Sequence, residues 1–485
     1  MSQEQLAGFV EAKAEELGVP GVAVGVLMDG RETYASHGVT SLDNPLPVDE
    51  RTLFHLASVS KTFTATALMR LVEAGKVDLD APVRRYVPEL ELTDEETAER
   101  ITVLNLLNHT GGLDWALIDT GEEDGTLPSY VARMAQLPLI APPGARASYS
   151  QAGYNLAGRI IEKVTGLSFE KAISSLVLEP LGLSNTFYDP EDVMIRRFAV
   201  GHNRGEDGTM RSAQPWKAFR PGDRANNPGG GIASSASDLL SWARFHLGTT
   251  PGDSVLPEDA LRHMQRETVA LRGSTLGDAF GIAWFLRDVD GVHTIGHGGS
   301  GNGQFAELLI VPERNFAVVA LSNAGPDGYV FNQAAVRWAL ERYLGVVEHA
   351  PEPLPYDATE AREVVGHYEN DAMNLDIATD GSRLTLAVGI KPEIREASDM
   401  EMPPDYPAAA MGLLPGDGDE YVITEGGLAD QRGFFTRDDA GTIIGVDLAG
   451  RLFVRRDDRR RGQARGRTAA KSPLPWAIRD RAPQP

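Results

Sequence analysis

The chain has 485 residues, 42% hydrophobic and 24% charged, enough for two or three domains with a sizeable core. A formal net charge of −23 argues against nucleic acid or an anionic membrane surface as a partner, and the lack of cysteine excludes disulfides, thiolate metal sites and cysteine nucleophiles. No apolar run reaches the roughly 18 residues that a transmembrane helix needs.

The opening "MSQEQLAGFVEAKAEELGVPG" has no basic n-region and no apolar h-region, so it does not read as a signal peptide and a cytoplasmic location is expected. Leu6, Phe9, Val10 and Leu17 fall at roughly helical spacing and predict an amphipathic docking helix. In "GVAVGVLMDGRETYASHGV" apolar residues flank Asp29-Gly30, a favoured two-residue hairpin turn. "TLFHLASVSKTFTATALMRLVEAGKVDLD" carries few charges between Lys61 and Val72, which predicts a buried helix stopped at Gly75. Residues 80–150 are mixed, with turns at "NHTGGL" and "APPGARASYS". "GYNLAGRIIEKVTG" and "SFEKAISSLVLEPLG" read as helices, and "NNPGGGIASSASDLLSWARFHLG" as a glycine turn followed by a helix. Three strand candidates follow, "VHTIGHGGSG", "GQFAELLIVPE" and "FAVVALSNA", the last two joined by a turn at 312–315, before a closing helix in "VFNQAAVRWALERYLG".

Strands thus bracket a helical middle without parallel βαβ alternation. The expected class is α+β, an antiparallel sheet flanked by helices plus a helical region, over residues 1–348. The proline-punctuated "HAPEPLPYD" opens a linker at 349–359. Short alternating segments such as "LDIATDGSRLTLAVG" and "GTIIGVDLAGRLFVRR" predict a small all-β, barrel-like domain at 360–455. A basic tail completes the chain at 456–485: residues 455–481 hold nine arginines and one lysine against three aspartates. It reads as a mobile tail, with docking on the acidic body as the alternative.

The chemistry centres on "ASVSKTFTA". A serine hydroxyl is a weak nucleophile and needs a base. Ser58 and Lys61 lie three positions apart, on one face of a helix, and burial in an apolar helix lowers a lysine's pKa into the range of a base. A helix start also offers backbone N–H groups to a developing oxyanion. Taken alone, the pattern favours a capping serine followed by an exposed lysine. It also occurs twice: Ser168 precedes Lys171, but there the serine follows a finished helix and reads as an N-cap.

The surrounding motifs change this balance. "FHLASVSKTFTA", "LLNHTGGL", "YSQAGYNLAGRIIEKVTGLSFEKAISSLVLEPLGLSNT", "GGGIASSASDLLSWARF", "FGIAW" and "GHGGSGNGQFAELLIVPERNFAVVALSN" occur in that order. Over residues 5–345 the sequence resembles the serine hydrolases of the penicillin-binding protein and class C β-lactamase family, which includes esterases and D-aminopeptidases. The resemblance implies a β-lactamase/transpeptidase-like fold, with Ser58 as nucleophile, Lys61 as base and Tyr149 as phenolic proton shuttle. Gln151 stands where the family's Tyr-x-Asn motif has asparagine, which helps hold the lysine and a substrate carbonyl. His297-Gly298-Gly299 stands at the family's Lys-Thr-Gly position, as often in esterases and peptidases. The N–H of Ser300 would join that of Ser58 as oxyanion donor, and Gly299 would let substrate approach the strand. The implied reaction is acyl transfer on a small-molecule ester or amide without cofactor or metal. A carboxylesterase is the first choice, then a D-amino-acid peptidase or amidase, then a β-lactamase. A non-catalytic scaffold or ligand sensor on the same fold is the rival of another class. Self-association into a homo-oligomer is left open.

Overall fold

The computed structural model describes residues 3–114, 125–205, 207–213, 221–250, 255–397, 405–416 and 418–456. Apart from Arg456, the expected basic tail lies outside the described residues.

The central sheet starts from the expected hairpin. Asp29 and Gly30 both take positive φ, +49° and +78°, as a two-residue primed turn demands. They join β1 (Gly21–Met28) to β2 (Arg31–Gly38). The chain rejoins this sheet after the helical region, in β3 (Val269–Ser274), β4 (Gly277–Phe280), β5 (Phe285–Val289), β6 (Val292–Gly301), β7 (Gln304–Val311) and β8 (Phe316–Ser322). β8 pairs with β1, which gives eight strands in the order β2-β1-β8-β7-β6-β5-β4-β3, antiparallel throughout. The sequence reading found β6, β7 and β8 and missed β3, β4 and β5.

Five helices bear on the site: α1 (Gln3–Leu17), α2 (Ser60–Glu73), α3 (Gln151–Thr165), α4 (Ala236–His246) and α5 (Asp327–Ala339). Strand alternation decides which residues meet which helix. Val22, Val24, Val318 and Ala320 face Leu6 and Val10 of α1 and Phe331 of α5, and Phe9 stacks on Trp338 at 4.7 Å between ring centres. Ala23, Leu27, Val319 and Leu321 share the other core with Trp242 of α4 and Phe63 of α2, whose rings stack at 4.0 Å. β8 is therefore buried along its whole length. α2 is buried without a break from Ser60 to Met69, as its lack of charge predicts, and ends with Gly75 at φ +68°.

The second unit is a closed barrel of eight strands in chain order: β9 (Gly366–Glu369), β10 (Met373–Thr379), β11 (Leu384–Ile390), β12 (Tyr406–Leu413), β13 (Glu420–Ile423), β14 (Arg432–Arg437), β15 (Ile443–Leu448) and β16 (Arg451–Arg456). β16 pairs back with β9, so the barrel has no exposed edge. Tyr368, Leu375, Leu386, Tyr421 and Phe435 fill it. It docks where β3 ends: Thr275 N–H donates to the Arg432 carbonyl at 3.1 Å, and Arg432 N–H donates to Thr275 Oγ1 at 2.7 Å.

Candidate active site

Ser58 lies in the 3₁₀ turn Ala57–Val59, two residues before the first residue of α2. Ala57 takes φ +44°, an uncommon conformation for a residue with a Cβ, costing about 1 kcal/mol. The turn lifts Ser58 off the helix surface, partly exposed, while Lys61 is buried in the first turn of α2.

Lys61 Nζ sits 3.2 Å from Ser58 Oγ, 2.9 Å from Gln151 Oε1 and 2.7 Å from the Gly229 carbonyl. Burial, then the positive charge of Arg451, holds its pKa well below the ordinary lysine value. Two of the three partners are carbonyl oxygens, which only accept. A neutral amine therefore gives its hydrogens to Gln151 and Gly229 and turns its lone pair toward the Ser58 hydroxyl. Thr64 Oγ1 donates to the Pro228 carbonyl at 2.6 Å and ties the 226–231 loop to α2.

The Gln151 amide is fully engaged on this inner side. Its Nε2 donates to Asn155 Oδ1 at 3.0 Å and to the Asn226 carbonyl at 3.3 Å. Both N–H groups serve the protein rather than the cleft, so the residue is placed to hold lysine but not to donate to a substrate carbonyl. The extra methylene relative to asparagine is accommodated at Gly229, where a Cβ would lie 2.0 Å from Gln151 Nε2.

Tyr149 immediately precedes the Ser150 N-cap of α3 and is 5% exposed. Its hydroxyl is hydrogen-bonded with Ser58, and Lys61 Nζ lies 4.9 Å from its ring centre. Burial pushes the phenol up to about 12, with the Ser58 bond and the Arg451 charge pulling the other way. Ser58, Lys61 and Tyr149 thus converge. His109, in "NHTGGL", supports the tyrosine: its ring centre lies 4.4 Å from that of Tyr149, and its Nδ1 accepts the Ser150 N–H at 3.0 Å.

β6 forms the facing wall. Val289 and Val292 close a two-residue turn whose Asp290 and Gly291 have φ of +52° and +74°. That makes them a hydrogen-bonded pair, and antiparallel alternation then turns the N–H groups of 294, 296, 298 and 300 toward the β5 side. β5 reaches only to Gly296, so the N–H of Ser300 faces an unpaired edge. The opposite parity, His297, Gly299 and Gly301, faces the nucleophile turn. A Cβ on Gly299 would lie 2.0 Å from the Leu56 carbonyl oxygen and 3.1 Å from Ser58 N. Only glycine permits this approach.

His297 is 1% exposed, stacks on Phe285 at 4.2 Å and has Nδ1 2.7 Å from the Gly298 carbonyl. Since a carbonyl only accepts, Nδ1 carries the proton and Nε2, which has no partner among the described residues, is an acceptor. Burial, then Lys61, lowers the imidazole to about 3. Its ¹⁵N resonances are expected to show no protonation between pH 5 and 8. An inflection near 6.5 that disappears in His297→Asn would contradict this.

Arg451 was not found from sequence. It follows the Ala449-Gly450 turn of the last barrel hairpin, and its guanidinium carbon lies 5.2 Å from the Tyr149 ring centre. Burial lowers its pKa, against Tyr149, Asp114, Asp371 and Asp447. The second Ser-x-x-Lys stays outside the site: Ser168 occupies the N-cap position of the helix Phe169–Ile173, without the side-chain cap bond expected of it, and Lys171 is exposed.

Comparison with known proteins identifies the family. The family described as "Beta-lactamase" matches residues 6–341. The chain belongs to the β-lactamase family. Penicillin-binding protein 4 of Amycolatopsis lactamdurans is 34% identical over 372 residues, covering 74% of this chain and 96% of that one. Esterase EstB of Burkholderia gladioli is 30% identical over 320 residues, covering 59% of this chain and 79% of that one. The crystal structure of SurE covers 94% of this chain and 99% of its own, at a TM-score of 0.72 and 26% identity, so the likeness extends into the barrel. Members of the β-lactamase family are serine hydrolases, and this protein is one of them.

Proposed function

We propose that the protein is a carboxylesterase working through an acyl-enzyme on Ser58. The observation that carries this reading is the placement of Lys61, buried with two carbonyl acceptors and its remaining valence on Ser58 Oγ. Ser58 Oγ attacks the ester carbonyl carbon as its proton passes to Lys61 Nζ. The N–H groups of Ser58 and Ser300 hold the oxyanion. Tyr149 gives its proton to the departing oxygen and regains one from Lys61. Water then repeats the sequence on the acyl-enzyme and frees the acid.

The neutral His297 supports an ester over a substrate anchored through a carboxylate at this motif, since it supplies no positive charge there. The engaged Gln151 amide argues against β-lactam turnover, which in the resembling family uses this side chain on the substrate carbonyl. A D-amino-acid peptidase is the second reading, favoured by the likeness to SurE, whose structure is also known with D-Leu.

A fluorophosphonate probe is expected to add to Ser58, as mapped by peptide mass spectrometry. No adduct at Ser58 would sink the hydrolase assignment of this site and leave a ligand sensor. Turnover of p-nitrophenyl butyrate against D-alanyl p-nitroanilide then separates the two readings: a higher kcat/KM for the anilide rejects the esterase.

A further inference from the structure

The segment that carries Tyr149 is held from the far side by the barrel. Tyr149 N–H donates to the Gly450 carbonyl at 2.7 Å, and Leu452 N–H donates to Ser148 Oγ at 3.2 Å. Arg146 donates to Thr436 Oγ1, and Asp371 N–H to Asp114 Oδ2 at 3.0 Å. The contact point is a tight turn, Ala449 at φ +51° and Gly450 at φ +73°, where a Cβ on Gly450 would lie 2.3 Å from Leu276 Cδ1 and 3.6 Å from Tyr149 Cβ. Arg451 then projects beside the Tyr149 ring.

We propose that Arg451 is a positioning residue for Tyr149, so that the last hairpin of the barrel is a working part of the hydrolase site. This rests on the Ser58 reading above and adds to it. The tyrosine lies between His109 on one element and Arg451 on another, with Lys61 near its ring. A cation there favours the neutral form of Lys61, which takes the Ser58 proton, and makes the Tyr149 phenol, which gives its proton to the departing oxygen, the stronger acid. The carboxyl groups of Asp114 and Asp371, and of Asp447, which burial raises to about 7, face the guanidinium charge, while His109 and His297 carry none at neutral pH. Removing Arg451 leaves those carboxylates facing the site and raises the pKa of both Lys61 and Tyr149.

The experiment uses the full chain, with Arg451→Gln, Arg451→Lys and Gly450→Ala assayed on p-nitrophenyl butyrate from pH 5 to 10. R451Q is expected to lose about 10- to 100-fold in kcat with little change in KM, and to move the acidic limb of kcat/KM upward by about one pH unit. R451K is expected to restore the limb. G450A displaces the hairpin with the charge intact and is expected to lower kcat similarly, so a failure of R451Q to fold leaves the proposal testable. Wild-type kcat and pH profile in either folded variant overturns it. A lower melting temperature with an unmoved acidic limb also overturns it, by reducing Arg451 to a structural residue. If the unaltered protein takes no fluorophosphonate on Ser58, the hydrolase site itself is at fault.

Discussion

Replacing Lys61 by methionine is expected to lower kcat/KM by about 10⁴-fold and to change how stability depends on pH. The activity loss follows from geometry: no other basic nitrogen among the described residues is placed within hydrogen-bond reach of Ser58 Oγ. Tyr149 cannot replace it, because burial holds its proton up to about 12. The stability effect follows from burial. Folded Lys61 loses its proton well below the value of about 10.5 at which the unfolded chain does. Between those two values the unfolded state holds one more proton, so raising the pH favours the folded state by about 1.4 kcal/mol per unit. Lys61→Met removes this contribution. Urea midpoints at pH 7, 8 and 9 should rise more steeply for the wild type than for K61M. Parallel slopes would mean that Lys61 is charged when folded, and more than 1% residual activity would mean that it is not the base.

What the sequence disclosed and what it hid divide along a physical line. Ser58 and Lys61 were only candidates from their local pattern, which alone favoured a capping serine and an exposed lysine; the roles given to them and to Tyr149 came from the order of motifs over residues 5–345, each motif being local in sequence. The core strands β6, β7 and β8 were legible because burial leaves an apolar run or an alternation. β3 to β5 were missed because Arg272, Asp278, Arg287 and Asp288 interrupt their apolar pattern where the strands face solvent or the barrel. Arg451 was hidden for another reason. Nothing local separates it from the arginines that follow it; only closure of the barrel carries it about 300 positions back along the chain to Tyr149. The contacts of the Gln151 amide nitrogen were equally closed to sequence, since they depend on Asn155 and on the Asn226 carbonyl about 75 positions away.

The glycine at 299 lies against the backbone of the nucleophile turn, and its replacement by alanine is expected to lower kcat by about 10²- to 10³-fold, the range for loss of one oxyanion donor. The new methyl would meet the Leu56 carbonyl oxygen at 2.0 Å. That oxygen cannot rotate away like a side chain, because it accepts the Val59 N–H at 3.2 Å and so closes the turn that presents Ser58. Either the turn or β6 must withdraw, and with it the Ser58 N–H or the Ser300 N–H. Gly298 provides the contrast on the same strand. Its added Cβ would point to the other face and meet Glu307 Oε2 at 2.9 Å, the movable end of a side chain. Gly298→Ala is expected to stay within tenfold of wild type, although that carboxyl is buried and raised to about 7. The two alanines differ by one position and share the same loss of backbone freedom. Equal kcat values for G298A and G299A would therefore remove the Ser300 N–H from the oxyanion site. A loss confined to G299A, with the rate of fluorophosphonate addition falling in step, places the defect at the wall that faces Ser58.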